Sequence, residues 1–125
     1  MQSYTFWGKK DTSINFCEKP YEESKYIAEF YNTISGLSYV LVGLYYFNTS
    51  IYRTAITQIL LGAGTMMLHG TLRWYGQIAD ELSMVTMMFM YIKEVQNISY
   101  NWLVLLYVLY DILCYHVIIV MINIK

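Results

Sequence analysis

Charged residues crowd the start of this sequence and then nearly vanish. Nine of the seventeen lie within residues 9–29, residues 32–52 carry none, and residues 54–72 hold only Arg-free, Lys-free sequence interrupted by His69. Each bare stretch is about 20 residues, the length a helix needs to cross a hydrocarbon core about 30 Å thick. The runs YVLVGLYYF (39–47) and WLVLLYVLY (102–110) show no polar face at the helical period, unlike a helix on the surface of a soluble bundle. The pattern predicts one all-α domain over 1–125, a polytopic transmembrane bundle of about four helices. The expected spans are 30–50, 54–71, 78–95 and 100–124, behind a polar segment at 1–28.

Local signals set the boundaries. Ser24 is placed to cap a short helix ahead of the first span. The polar turn Asn48-Thr49-Ser50 closes that span. Gly62 and Gly64 mark the second as one that packs closely against a neighbour. The connector Arg73-Trp74-Tyr75-Gly76 carries aromatic residues suited to a membrane interface. Asp80 and Glu81 open the third span, and Asp111 and His116 interrupt the fourth. Lysine and arginine bias orients the chain with both termini cytosolic: Lys9, Lys10, Lys19, Lys25, Arg73 and Lys125 then lie inside, Arg53 and Lys93 outside. The sequons at 48–50 and 97–99 would face the lumen, a weak agreement.

Composition agrees. The chain is 57% hydrophobic and 14% charged, against about 25% charged for a soluble domain. The net charge of −1 is silent on nucleic acid, and no basic stripe supports such a partner, so none is expected. The first thirteen residues hold no apolar core of signal-peptide length, so the polar segment is expected in the mature protein. A disulfide between Cys17 and Cys114 has little support in their spacing.

Ionisable groups within spans are expensive and mark functional sites by default. Thr65 and His69 are four residues apart and share a helical face, and Asp80 follows after a short connector. The three are expected to meet at one membrane boundary. A neutral imidazole there suits zinc, and a nearby carboxylate suits proton transfer to or from water; the plainer alternative is a helix-end histidine hydrogen-bonded to an aspartate. Asn15, Glu18 and Glu29 gather oxygens that suit calcium, or form a solvated acidic segment.

Three blocks then narrow the reading. Trp7-Gly8 is followed by FCE (16–18), by YIAEFYNTIS (26–35) and by GAGTMMLHGTLRWYGQIADELSM (62–84). Their order and spacing resemble the N-terminal half of the alkaline ceramidase family, closely over residues 7–95. The resemblance implies a seven-helix membrane hydrolase in which zinc-activated water cleaves the amide of ceramide to sphingosine and a fatty acid. It implies zinc at His69, Asp80 as general base, and Thr65 where the family has a helpful serine. It also implies calcium at Asn15, Phe16 (through its carbonyl), Glu18 and Glu29, weakened because Asn15 replaces an aspartate and Pro20 an asparagine. Endoplasmic reticulum or Golgi is the implied membrane.

The family's other two zinc ligands form an H-x-x-x-H pair, which this sequence lacks; His116 matches no family ligand. The expectation is therefore a truncated or split enzyme, or a chain that borrows histidines from a second chain. The alternative is a non-catalytic relative that binds sphingolipid or assembles with other helices.

Overall fold

A computed structural model describes residues 5–96, 99, 101–102, 104–110 and 112. They fall into two compact units, divided between Met87 and Met88. The described residues are helical or irregular, with no strand among them. The first unit is built on α1 (Phe30–Tyr46), α2 (Tyr52–Thr71) and α3 (Trp74–Gln96), the last continuing into the second unit. In the second unit, residues 101–102, 104–110 and 112 are helical, where a fourth helix is expected. The rings of Phe89 and Tyr107 meet there edge to face, 6.0 Å apart. Asp111, Cys114, His116 and the rest of the expected 100–124 span lie outside the described residues, as does most of the second sequon. Cys17 is an exposed free thiol.

The helices turn small and polar residues inward. The buried positions of α1 are Thr33, Gly36 and Gly43. Those of α2 include Thr54, Thr57, Gln58, Gly62, Gly64 and Thr71. Large apolar residues such as Leu37, Leu41, Leu44, Leu60 and Leu82 are exposed. Absent side chains bring the backbones together. A Cβ on Gly62 would stand 2.7 Å from the Gly36 carbonyl oxygen, and one on Gly64 2.9 Å from that of Ala79. The first pair sets the approach of α1 to α2, the second that of α2 to α3.

Among the described residues, no helix is both long and apolar enough to cross a membrane. The first helix has 17 residues, shorter than the expected 30–50, and α2 dilutes its apolar residues with the inward threonines, Gln58 and His69.

The polar N-terminal segment binds the helix ends at one pole. Residues 24–29 form no helix; Ser24 Oγ instead accepts from the Tyr26 amide at 3.2 Å. The capping of α1 comes from farther back, because Glu18 Oε1 and Oε2 accept from the Tyr31 and Asn32 amides at 2.8 and 2.9 Å. Two of the four orphan donors of that helix end are thereby satisfied by a charge of the favourable sign. The corner between α2 and α3 is also tighter than expected. Trp74, Tyr75 and Gly76 belong to α3, leaving only Leu72 and Arg73 as connector. Leu72 adopts a left-handed conformation (φ 53°), which costs roughly 1–2 kcal/mol for a side chain with a Cβ. Its side chain is 2% exposed, and that burial offsets the strain. Asp11 then caps α3, its Oδ1 accepting from the Trp74 amide at 2.7 Å and its Oδ2 pairing with Arg73 at 3.1 Å.

Replacing Asp11 by alanine is expected to cost about 1 kcal/mol, the usual worth of a helix cap. The loss should be local: amide hydrogen exchange at Trp74 should quicken severalfold while that at Tyr31 and Asn32, capped by Glu18, stays the same.

Candidate active site

The chain ahead of α1 runs along the C-terminal end of α2. The Ala28 amide donates to the Gly70 carbonyl and the Glu29 amide to the His69 carbonyl, both at 2.9 Å. Two orphan carbonyls of α2 are satisfied this way. The same register aims the Glu29 side chain at the His69 ring, and Glu29 Oε2 lies 2.6 Å from His69 Nδ1. Glu29 is 1% exposed and the His69 side chain 12%. An ionised carboxylate accepts, so Nδ1 donates to it, and in the neutral ring Nε2 is then the nitrogen left with a lone pair. The ring of Phe16 packs on the imidazole, centroids 4.5 Å apart.

One turn earlier on α2, Thr65 Oγ1 donates to Asp80 Oδ1 at 2.5 Å. The contact is set by the close approach at Gly64, whose missing Cβ would lie 3.0 Å from the Asp80 Cα. Asp80 is 8% exposed. Thr65 and His69 thus stand about 6 Å apart along the helix axis, at 1.5 Å per residue. One is tied to a carboxylate from α3, the other to a carboxylate from the segment before α1. The expected grouping of His69, Thr65 and Asp80 therefore resolves into two hydrogen-bonded pairs.

The residues expected at calcium are divided among other tasks. Asn15 Oδ1 accepts from Lys10 Nζ at 2.9 Å, and Lys10 also sits 5.8 Å from the Phe16 ring centroid. Glu18 caps α1, and Glu29 holds His69. What links the two glutamates is Asn32, an uncharged residue inside the AEFYNT block with no sequence signal of its own. Its backbone amide donates to Glu18 and its side-chain Nδ2 donates to Glu29 Oε2 at 3.0 Å. Gln77 is a second such residue: its Oε1 accepts from the Ser13 amide at 2.9 Å and its Nε2 donates to Ser13 Oγ at 2.6 Å, fastening the N-terminal segment to α3.

Zinc fits one part of this arrangement. A metal-binding histidine commonly gives its other ring N–H to a carboxylate, which fixes the tautomer and the ring; Glu29 stands in that position behind His69. The described residues contain no group of three His, Cys, Asp or Glu side chains able to hold a metal. They fit one zinc ligand and its orienting carboxylate, not a complete catalytic set, which usually has three protein ligands. Calcium fits less well, because a lysine ammonium already occupies the Asn15 oxygen.

A family model described as Ceramidase matches residues 8–125. An alkaline ceramidase of Arabidopsis thaliana is 39% identical over a stretch covering 70% of this chain and 38% of that protein. The chain belongs to the alkaline ceramidase family. A putative alkaline ceramidase of Dictyostelium discoideum is 33% identical, over 63% of this chain and 36% of its own length. An alkaline ceramidase of Saccharomyces cerevisiae is 32% identical, over 63% of this chain and 28% of its own. The matched stretches thus span 38% or less of these three relatives. For this ceramidase relative, both hydrogen-bonded pairs lie inside the matched region.

Thr65→Val removes a hydroxyl at nearly constant volume and strips a donor from the buried Asp80 carboxylate. Destabilisation of about 1–3 kcal/mol is expected, read as a lowered thermal midpoint in detergent. Thr65→Ser, which restores the donor, should recover most of it.

Proposed function

We propose that this chain forms the front part of a membrane-embedded amidase site that cleaves the amide bond of ceramide, giving sphingosine and a fatty acid. The observation that carries the reading is the placing of Asp80–Thr65 and Glu29–His69 one turn apart along α2. His69 would hold zinc through Nε2, with Glu29 fixing the ring from behind. Zinc bound there supplies Lewis-acid chemistry, polarising an amide carbonyl and making water more acidic. Asp80 is the general base: Oδ1 is engaged by Thr65, and Oδ2 takes the proton from water and returns it to the departing amine. Thr65 keeps the Asp80 carboxylate in place. The remaining zinc ligands come from a further segment, on the same polypeptide or on a second chain. Calcium is a second proposed cofactor, with Asn15, the Phe16 carbonyl, Glu18 and Glu29 as its oxygen donors.

Insertion into a bilayer is supported by the packing of α1 and α2, with glycine and threonine between the helices and Leu37, Leu41, Leu44 and Leu60 outward. The proposed host is the endoplasmic reticulum or Golgi, with both termini cytosolic. On this reading Leu41, 58% exposed on α1, faces lipid. Leu41→Arg should then cost roughly 2.5–3.5 kcal/mol of insertion, seen as a shift from the carbonate-resistant membrane pellet to the extractable fraction. Equal extraction of the variant and the parent chain would remove the lipid-facing assignment.

The catalytic reading is tested by purifying the chain with and without a segment that supplies an H-x-x-x-H pair. Zinc content and sphingosine release from ceramide are then measured. Turnover is expected with the segment bound, and Asp80→Asn should lower it by about 10²–10⁴-fold. No turnover in either preparation, with the segment confirmed bound, sinks the reading. The second reading is a non-catalytic sphingolipid-binding or helix-assembling protein, in which the two hydrogen-bonded pairs serve packing alone. In that case His69→Ala and Asp80→Ala leave lipid binding intact.

A further inference from the structure

We infer that Asn32 is a positioning residue for the His69 imidazole, acting through Glu29. Three hydrogen bonds make the case. The Asn32 backbone amide is fixed by Glu18 Oε2 at 2.9 Å. Its side-chain Nδ2 reaches Glu29 Oε2 at 3.0 Å. That same oxygen meets His69 Nδ1 at 2.6 Å. The amide must present nitrogen to the carboxylate, because its oxygen there would face another acceptor.

The physical need lies in Glu29. At 1% exposure its oxygens are withdrawn from bulk water, and a carboxylate so placed depends on the donors around it. The side-chain donors recorded for it are His69 and Asn32. Asn32 therefore fixes where Oε2 stands, and Oε2 fixes the tilt and tautomer of the ring. Because Asn32 is also the third residue of α1, the cap that Glu18 places on that helix end is tied mechanically to the ring of His69. Capping and orientation use separate parts of the residue, the backbone for one and the side chain for the other. A side-chain substitution can thus break the second and spare the first.

The inference rests on the amidase reading only for its meaning in catalysis; the geometry stands without it, and the test separates the two. Asn32→Leu removes the amide and keeps the backbone N–H. The full chain is labelled with 15N at the imidazoles and placed in detergent without metal, with the His116 signals identified through His116→Gln. In the parent chain the His69 shifts should show a single tautomer, protonated at Nδ1. In Asn32→Leu they should move toward a mixture of tautomers, while exchange protection of the Tyr31 and Asn32-position amides, which reports the Glu18 cap, is unchanged. Asn32→Gln, with an amide on a longer stem, should restore part of the single-tautomer signature. In a second arm, zinc retention is measured with the H-x-x-x-H segment present. Asn32→Leu should weaken it by up to about 10-fold, within the range for outer residues of metal sites, and should add nothing in a Glu29→Gln background. An unchanged ring signature overturns the inference, as does a loss of zinc of equal size in both backgrounds. If the chain holds no zinc at all, the amidase reading fails and the ring signature still decides the role of Asn32.

Discussion

A buried carboxylate with few donors is the constraint around which one pole of this protein is organised. Glu29 is enclosed where the polar segment meets α2, and removing an ion of that size from water costs several kcal/mol even after relaxation. His69 and Asn32 offset that cost through hydrogen bonds to one oxygen. Both can do so only because the Ala28 and Glu29 amides are laced to the Gly70 and His69 carbonyls. The histidine is thus oriented as a by-product of closing a helix end, and the same few residues serve capping, burial and the candidate chemistry.

The helices below that pole obey a different rule. Leu37, Leu41, Leu44 and Leu60 face outward, while Thr33, Thr54, Thr57 and Thr71 are buried beside Leu61 and Leu68. Glycines set the spacing, so that α2 meets α1 at Gly62 and α3 at Gly64 with backbone against backbone. The second of these approaches is what lets a short side chain such as Thr65 reach across to Asp80. A larger residue at position 64 would push α3 away and break a hydrogen bond that position 64 does not itself make.

Much of this was legible in the sequence where the signal was local. Charge-free runs located α1 and α2, and the four-residue spacing of Thr65 and His69 put them on one face. The 62–84 block identified the family. What escaped was long-range. Nothing near Trp74 announces that Asp11 will cap it, so the third helix was expected to begin at 78 rather than 74. Nothing near Phe30 points to Glu18, and the short helix that Ser24 suggests ahead of the first span does not form. Spacing alone groups Glu29 with Glu18 and Asn15 as an oxygen donor, whereas the backbone register along α2 turns it toward His69. Asn32 carried no charge and sat at the head of an apolar run, so its two donors gave no sign of linking two glutamates. The inward threonines also lower the mean hydropathy of α2 below what its outward face suggests.

The capping of α3 by a residue 63 positions earlier bears on the order of events in folding. Asp11, Ser13 and Glu18 leave the ribosome before any helix they serve. Helical turns form from near neighbours, whereas contacts of large sequence separation wait on the closure of long loops. A segment made before the helices it caps therefore settles late, after α2 and the start of α3 have met. Until it does, the N-terminal ends of α1 and α3 are uncapped and Glu29 has yet to reach His69. The polar segment, with no helix of its own, is in time the piece that brings Glu29 to His69.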